Sequence, residues 1–402
     1  MDISTLLILA DESANWKIAG LRQLDRLVLE ISEFAAKQRI DKVDIFIFWK
    51  QILRSEQSWS LEDPRLTRCR VHIARTIDRS MPLLSTCLLL KRRALEDFIS
   101  SAALARAGDT WEELARAFTL ACSGAKQTAM DGWRCVAARE EIPTAERWFL
   151  AGSGKPQDGF VSKYLNRPIS RAISRMLLKT DVTPGAWTLA IFTLAIAGCV
   201  LLLRGDYFGF VTGAALFQIF SILDGCDGEM ARAKYLESER GRCLDMLGDI
   251  LGNILFALGL GFGLHQSGDW CYAAEGIVCA ALIAATESLL ARGYRGVEGG
   301  AASRPDLAIA PRPSLHGETP RGAVVGDRFY ARHRALLDHL GLSSRGEKRL
   351  AWLFQLTKRD TAILSFLLLA IFGWPQWILH IWIMVSAAML ALTLTARSHP
   401  RV

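Results

Sequence analysis

The sequence predicts two folds in one chain: an α/β domain with a parallel sheet over residues 1–150, and an all-α domain of six transmembrane helices over 183–402. Three observations predict it. The chain is 51% hydrophobic with a mean hydropathy of +0.20, yet 22% charged with a net charge of +7. Such averages arise when a polar part is joined to a very apolar one. Short β-type runs alternate with helical patterns near the start, as in parallel sheets. Long stretches without charge crowd the remainder.

Residues 5–10 (TLLILA) and 43–49 (VDIFIFW) read as strands, with a helical pattern from about 18 to 38 between them. Residues 111–122 and 144–150 read as further helices. The first ten residues are apolar only briefly, lie between Asp2 and Asp11, and lack a basic start. They are expected to form a buried strand of a cytosolic domain and not a signal peptide. The 9 cysteines show no CxxC pair and no Cys/His metal spacing, so they read as small hydrophobes. A basic excess beside apolar spans points to a membrane surface or phosphate-bearing ligands, and no motif for nucleic acid accompanies it.

Residues 151–182 form a joint and an interfacial helix. The joint, 152–159 (GSGKPQDG), is rich in turn formers. Lys163, Arg167, Arg171, Arg175 and Lys179 then recur every fourth residue, with Leu165, Ile169, Ile173, Met176 and Leu177 on the other side. A helix divided in this way lies in the headgroup plane; the alternative is a solvated surface helix packed on its own domain.

Thr183-Pro184 is a helix-start signature. Apolar spans are expected at 185–203, which carries no charge, and at 207–223, 250–264, 272–291, 361–372 with an upstream extension, and 377–395. The connection 292–359 holds thirteen Lys/Arg, whereas the opposite loops, 204–206, 265–271 and 373–376, hold one between them. Six spans place both termini and that connection on one side, which the positive-inside rule makes cytoplasmic. A multi-pass protein of the cytoplasmic membrane is expected, with its N-terminal domain and active site facing the cytoplasm. Residues 296–326 are rich in Gly, Pro and Arg and read as a loose segment.

Between the second and third spans stand Asp224, Asp227, Gly228, Ala231, Arg232, Gly241, Asp245 and Asp249. On helices, residues three or four apart share a face. Asp224 and Asp227 would therefore share one face at the end of one helix, and Asp245 and Asp249 one at the start of the next. A short turn then aims four carboxylates at one volume, where they need a cation to remain ionised. All-oxygen ligands select a hard divalent ion, Mg²⁺ or Mn²⁺. Such an ion suits phosphoryl chemistry. Small residues allow a diphosphate or flat base to approach the backbone, and Arg232 offers a fork of donors to phosphate. Buried ion pairs are the bland alternative, but too few cations lie nearby in sequence.

These eight residues over twenty-six positions match every fixed position of the signature of the CDP-alcohol phosphotransferases, and the chain resembles that family over about 155–394. The resemblance implies a CDP-alcohol donor, a hydroxyl acceptor, membrane lipids around the protein and a homodimer. It implies that Asp224, Asp227 and Asp245 hold the metal, that Asp249 completes the site and takes the acceptor's proton, and that Gly228, Ala231, Arg232 and Gly241 line the cytidine diphosphate pocket. Lys358 and Arg359, at the membrane boundary, are expected either to bind a phosphate on the acceptor or to anchor a helix start. Glu287 is equally open, and Glu275 is expected to be exposed. The donor remains open between a small CDP-alcohol such as CDP-inositol and the lipid CDP-diacylglycerol of phospholipid synthesis. A cation-binding transporter is the reading from another class.

Ala19-Gly20-Leu21-Arg22 through Leu27, followed by Ile40-Asp41-Lys42-Val43, is similar to the opening of the sugar-1-phosphate nucleotidyltransferases, which have a Rossmann-like fold. A fusion of such a domain to this membrane domain resembles the bifunctional enzymes that make CDP-inositol and then di-inositol phosphate phosphate. Active enzymes of that type need a glycine-rich loop after the first strand to cradle triphosphate. Here the place holds Ala10-Asp11-Glu12-Ser13-Ala14-Asn15-Trp16, with no glycine and two acids. A degenerate domain without nucleotidyl transfer is expected.

Overall fold

The computed structural model describes residues 4–50, 65–66, 68–74, 81–101, 110–125, 132–151, 160–266, 268–302 and 359–397. They group into two compact units. One is Met1–Pro156 with Ile169–Pro184 and Cys226–Ser238; the other is Gln157–Pro168 with Gly185–Gly225 and Glu239–Val402.

In the first unit, β1 (Thr5–Ala10) is apolar and buried after its first residue, as a strand covered on both faces requires. β2 (Lys17–Ile18) and β3 (Leu21–Arg22) form a small antiparallel hairpin. Ala19 and Gly20 at its tip have φ of 48° and 80°, the doubly positive turn that matches strand twist. This hairpin occupies the start of the expected helix, so α1 runs only over Gln23–Lys37. It buries Leu24, Leu27, Val28 and Ile31 along one stripe. β4 (Val43–Trp49) lies parallel to β1, with Phe46 beside Leu7. β5 (Cys69–Ile73) and β6 (Leu83–Ser85) complete an all-parallel sheet in the order β5-β4-β1-β6. The expected α/β fold with a parallel sheet is therefore present.

β7 (Leu88–Leu90) pairs with β8 (Trp133–Cys135) in a separate antiparallel ribbon. Of the helices α2 (Leu95–Ser101), α3 (Trp111–Ala125) and α4 (Ile142–Ala151), α3 packs on β1 and β6, α4 on β7, and α2 sets Phe98 against Trp133 of β8. The joint at 152–159 lies outside the described residues.

A turn of π-helix, Ser162–Asn166, leads into α5 (Arg167–Leu177). Its apolar side chains are turned outward: Ile169 is 39% exposed and Met176 72%. A helix packed by this face on its own domain would bury them; the headgroup-plane placement remains an expectation. The basic stripe is less uniform than expected. Arg167 is buried, and the Nε atoms of Arg171 and Arg175 are buried with no partner among the described residues.

Helices stand at all six positions marked as spans: α6 (Pro184–Leu202), α7 (Tyr207–Ala233), α8 (Glu239–His265), α9 (Trp270–Ala302), α10 (Arg359–Ile371) and α11 (Gln376–Arg397). Among the described residues, 4 helices, α6 to α9, are long and apolar enough to cross a membrane. The extension expected before the fifth span lies outside the described residues, so six crossings remain an expectation. Within the second unit, Phe217, Phe220, Phe256, Leu260, Ile283 and Phe366 share one core, and the rings of Phe217 and Phe256 stack at 4.4 Å. At Gly261 a Cβ would stand 2.7 Å from the Cα of Gly276; only glycines permit α8 and α9 to cross this closely. Leu189, Val200, Phe208 and Ile277 remain exposed, a surface suited to lipid.

Candidate active site

α7 carries Asp224 and Asp227 one turn apart near its end, and α8 carries Asp245 and Asp249 near its start. Asp224, Asp227 and Asp245 each offer a carboxylate oxygen, and these oxygens lie within 4.8 Å of one another. Asp227 is buried and the other two are half-buried. Oxygen ligands of one Mg²⁺ lie about 2.1 Å from it, so no two are more than about 4.2 Å apart. A small rotamer adjustment closes the observed cluster onto such an ion, and the all-carboxylate set matches a hard divalent cation.

Asp249 stands apart from this cluster. Its carboxylate makes an ion pair with Arg359, whose Nη1 also lies 4.0 Å from Asp224. The sequence reading named Arg359 as a phosphate ligand or helix anchor, and its distance along the chain hid only the pairing with Asp249. Arg359 opens α10, and its Nε and Nη2 are buried with no partner among the described residues. The next residue, Asp360, accepts the backbone N–H of Ser162 at 2.5 Å. Lys358 lies outside the described residues.

Arg232 folds back along α7, so that a Cβ on Gly228 would meet its Nη1 at 3.1 Å. The bare backbone of Gly228 and the guanidinium thus share one surface, with Ala231 half-buried beside them and Gly241 exposed near the start of α8.

Two features escaped the sequence reading. Glu229 is fully buried and accepts hydrogen bonds from Ser170 Oγ at 2.9 Å and Ser174 Oγ at 2.8 Å. It fastens α5 to α7 between the signature residues. The serines' four-residue spacing, out of phase with the arginines, was the available signal. Glu275 is also not simply exposed; it lies 3.2 Å from His380, a pairing between helices that spacing does not reveal.

In the N-terminal domain, the chain after β1 closes into a short 3₁₀ turn at Glu12–Asn15. The Asp11 carboxylate accepts Ser13 N–H at 2.8 Å. Ala14 N–H goes to the Asp11 carbonyl and Trp16 N–H to the Ser13 carbonyl, both at 3.1 Å. Amides that a phosphate-binding loop would present are engaged within the turn.

The described residues thus combine a parallel α/β domain with apolar helices, two of which carry a three-aspartate cluster. Residues 181–304 match the family model for CDP-alcohol phosphatidyltransferase, and the resemblance read from the signature is borne out. Among similar proteins are those named bifunctional IPC transferase and DIPP synthase. The one from Rubrobacter xylanophilus is 34% identical over 38% of this chain and 35% of its own length. Those from Thermococcus kodakarensis and Aquifex aeolicus are 39% and 33% identical, over 29% and 41% of this chain and 26% and 38% of their own lengths. The chain thus spans well under half the length of the relatives it matches.

Proposed function

We propose that the protein transfers a phosphoalcohol from a CDP-alcohol to a hydroxyl acceptor and releases CMP, with chemistry of the inositol-phosphate type. The observation that carries this is the cluster of Asp224, Asp227 and Asp245 oxygens within 4.8 Å, lying in the segment that matches the family.

In this reading Asp224, Asp227 and Asp245 hold a divalent ion, Mg²⁺ or Mn²⁺, which supplies charge neutralisation for the diphosphate. Gly228, Ala231, Arg232 and Gly241 receive the cytidine diphosphate. The acceptor's hydroxyl oxygen bonds to the phosphorus that carries the alcohol. The bond from that phosphorus to the CMP oxygen breaks, and the hydroxyl proton passes to Asp249. Arg359 gives up part of its contact with Asp249 and turns Nε and Nη2, which have no partner among the described residues, to a phosphate on the acceptor. The cytoplasmic orientation, surrounding lipid and a homodimeric state belong to the same proposal.

The names of the similar proteins, together with the fused N-terminal domain, favour a small inositol-type donor over a lipid. The occupied amides of the Glu12–Asn15 turn support a domain that makes no nucleotide-activated alcohol of its own. The test is to incubate purified full-length protein and Mg²⁺ with CDP-inositol and inositol phosphate, or with CDP-diacylglycerol, and to follow CMP and products by mass spectrometry. CMP release with CDP-inositol supports the reading. Release with CDP-diacylglycerol alone changes the donor. No release from either, with cation flux into vesicles, favours a transporter.

A further inference from the structure

At the turn that follows α7, a residue type and its backbone conformation disagree. Leu236 N–H donates to the Ala231 carbonyl at 2.8 Å and Lys234 N–H to that of Met230 at 2.9 Å. This closure places Tyr235 where a helix end usually has glycine. Tyr235 has φ of 55°, a left-handed conformation that carries a steric cost for any L side chain. A strained tyrosine needs a reason to be there.

Its side chain supplies one. Tyr235 is 7% exposed, and its hydroxyl donates to Glu30 Oε2 on α1 at 2.6 Å. The Arg92 guanidinium covers its ring at 5.3 Å and pairs with Glu237 at 2.5 Å. Helix ends leave their last carbonyls without intrahelical partners, and here arginines of the N-terminal domain take them. Arg26, 1% exposed, donates from Nη1 to the Ala233 carbonyl at 3.0 Å. Arg65 Nη1 donates to the carbonyls of Lys234 at 2.9 Å and Tyr235 at 2.6 Å. The hairpin tip closes on the same segment, where a Cβ on Gly20 would stand 2.7 Å from Lys234 Cε.

We propose that the N-terminal domain is a clamp on the end of α7, and that Tyr235 and Glu30 are positioning residues that hold Gly228 and Arg232 for the donor's diphosphate. This rests on the donor reading of Gly228, Ala231 and Arg232 given above. It goes further by assigning a domain expected to lack nucleotidyl transfer a part in the transfer reaction, exerted through donor affinity.

The test uses full-length protein in detergent as wild type, Tyr235→Phe, Tyr235→Gly and Glu30→Gln. Two quantities are read: hydrogen exchange of amides 233–238, and kcat and KM for CDP-inositol at saturating acceptor. Tyr235→Phe keeps the ring beneath Arg92 and loses only the hydroxyl. Tyr235→Gly relieves the backbone and loses the grip. Both are expected to speed exchange and to raise KM about tenfold, the usual scale for a hydrogen bond to a carboxylate, with kcat nearly unchanged. Glu30→Gln loses the carboxylate but keeps one oxygen that can accept from Tyr235, so exchange and KM are expected to move in the same direction by a smaller factor. A fall in kcat with unchanged KM in this variant would overturn the positioning role. Unchanged exchange in both Tyr235 variants would overturn the clamp. Faster exchange with unchanged KM, or an equal fall in kcat, would overturn the positioning role. Wild-type protein that uses neither CDP-inositol nor CDP-diacylglycerol would overturn the donor reading, and the positioning role with it.

Discussion

Arg359 and Asp249 form an ion pair beside the aspartate cluster, so the carboxylate assigned as proton acceptor is neutralised within the protein itself. The same guanidinium reaches to 4.0 Å from Asp224. One cation therefore bridges the acid assigned to proton transfer and an acid assigned to metal.

Replacing that cation separates acceptor from donor. Arg359→Gln is expected to raise KM for a phosphorylated acceptor by about tenfold or more, because a charge-assisted contact to phosphate is lost. KM for the CDP-alcohol should move by much less. Steady-state kinetics with each substrate varied in turn checks this, and an equal rise for both substrates contradicts the assignment.

Stability is expected to depend on pH through Glu30. Burial pushes its carboxyl from the ordinary 4.5 up to about 7, against the opposing pull of the Tyr235 hydroxyl bond, the Arg93 N–H and Arg92, with Glu33 adding a like charge. The folded protein thus binds this proton more tightly than the unfolded chain. Stability is greatest below about pH 4.5 for this group and falls as pH rises towards about 7, by on the order of 2–3 kcal/mol. Thermal unfolding of wild type and Glu30→Gln between pH 5 and 8 isolates the effect. The difference between the two should change across that window, and a constant difference refutes the linkage.

The N-terminal domain is expected to release no pyrophosphate from CTP. Asp11 and the carbonyls of the turn occupy the amides of Ser13, Ala14 and Trp16, and Asp11 and Glu12 repel phosphate. Full-length protein given CTP with inositol phosphate or glycerol phosphate should yield no pyrophosphate, while a supplied CDP-alcohol is still used. Pyrophosphate release would make the protein a two-step enzyme that produces its own donor.

Much of the site was legible because helical periodicity is local. Spacings of three and four put Asp224 with Asp227 and Asp245 with Asp249, and small residues between them marked a close approach. Asp249's partner was not legible, because Arg359 lies far along the chain and only folding brings it near. Tyr235 gave no signal either, since a left-handed helix end announces itself in sequence only when the residue is glycine. Strands β5 to β8 are three to five residues long, too short for alternation to stand out. The long runs 5–10 and 43–49 declared themselves by apolar content alone.

The most direct test compares Mn²⁺ binding and CMP release in wild type, Asp224→Asn, Asp245→Asn and Asp249→Asn, each in full-length protein, by electron paramagnetic resonance and by product analysis. Asp224→Asn and Asp245→Asn should lose the bound ion and all transfer while remaining folded, and excess chelator should do the same to wild type. Asp249→Asn should still bind Mn²⁺ and the donor but lose about 10²–10⁴-fold in turnover, the usual contribution of a general base. Full metal binding and transfer in Asp224→Asn and Asp245→Asn would contradict the account.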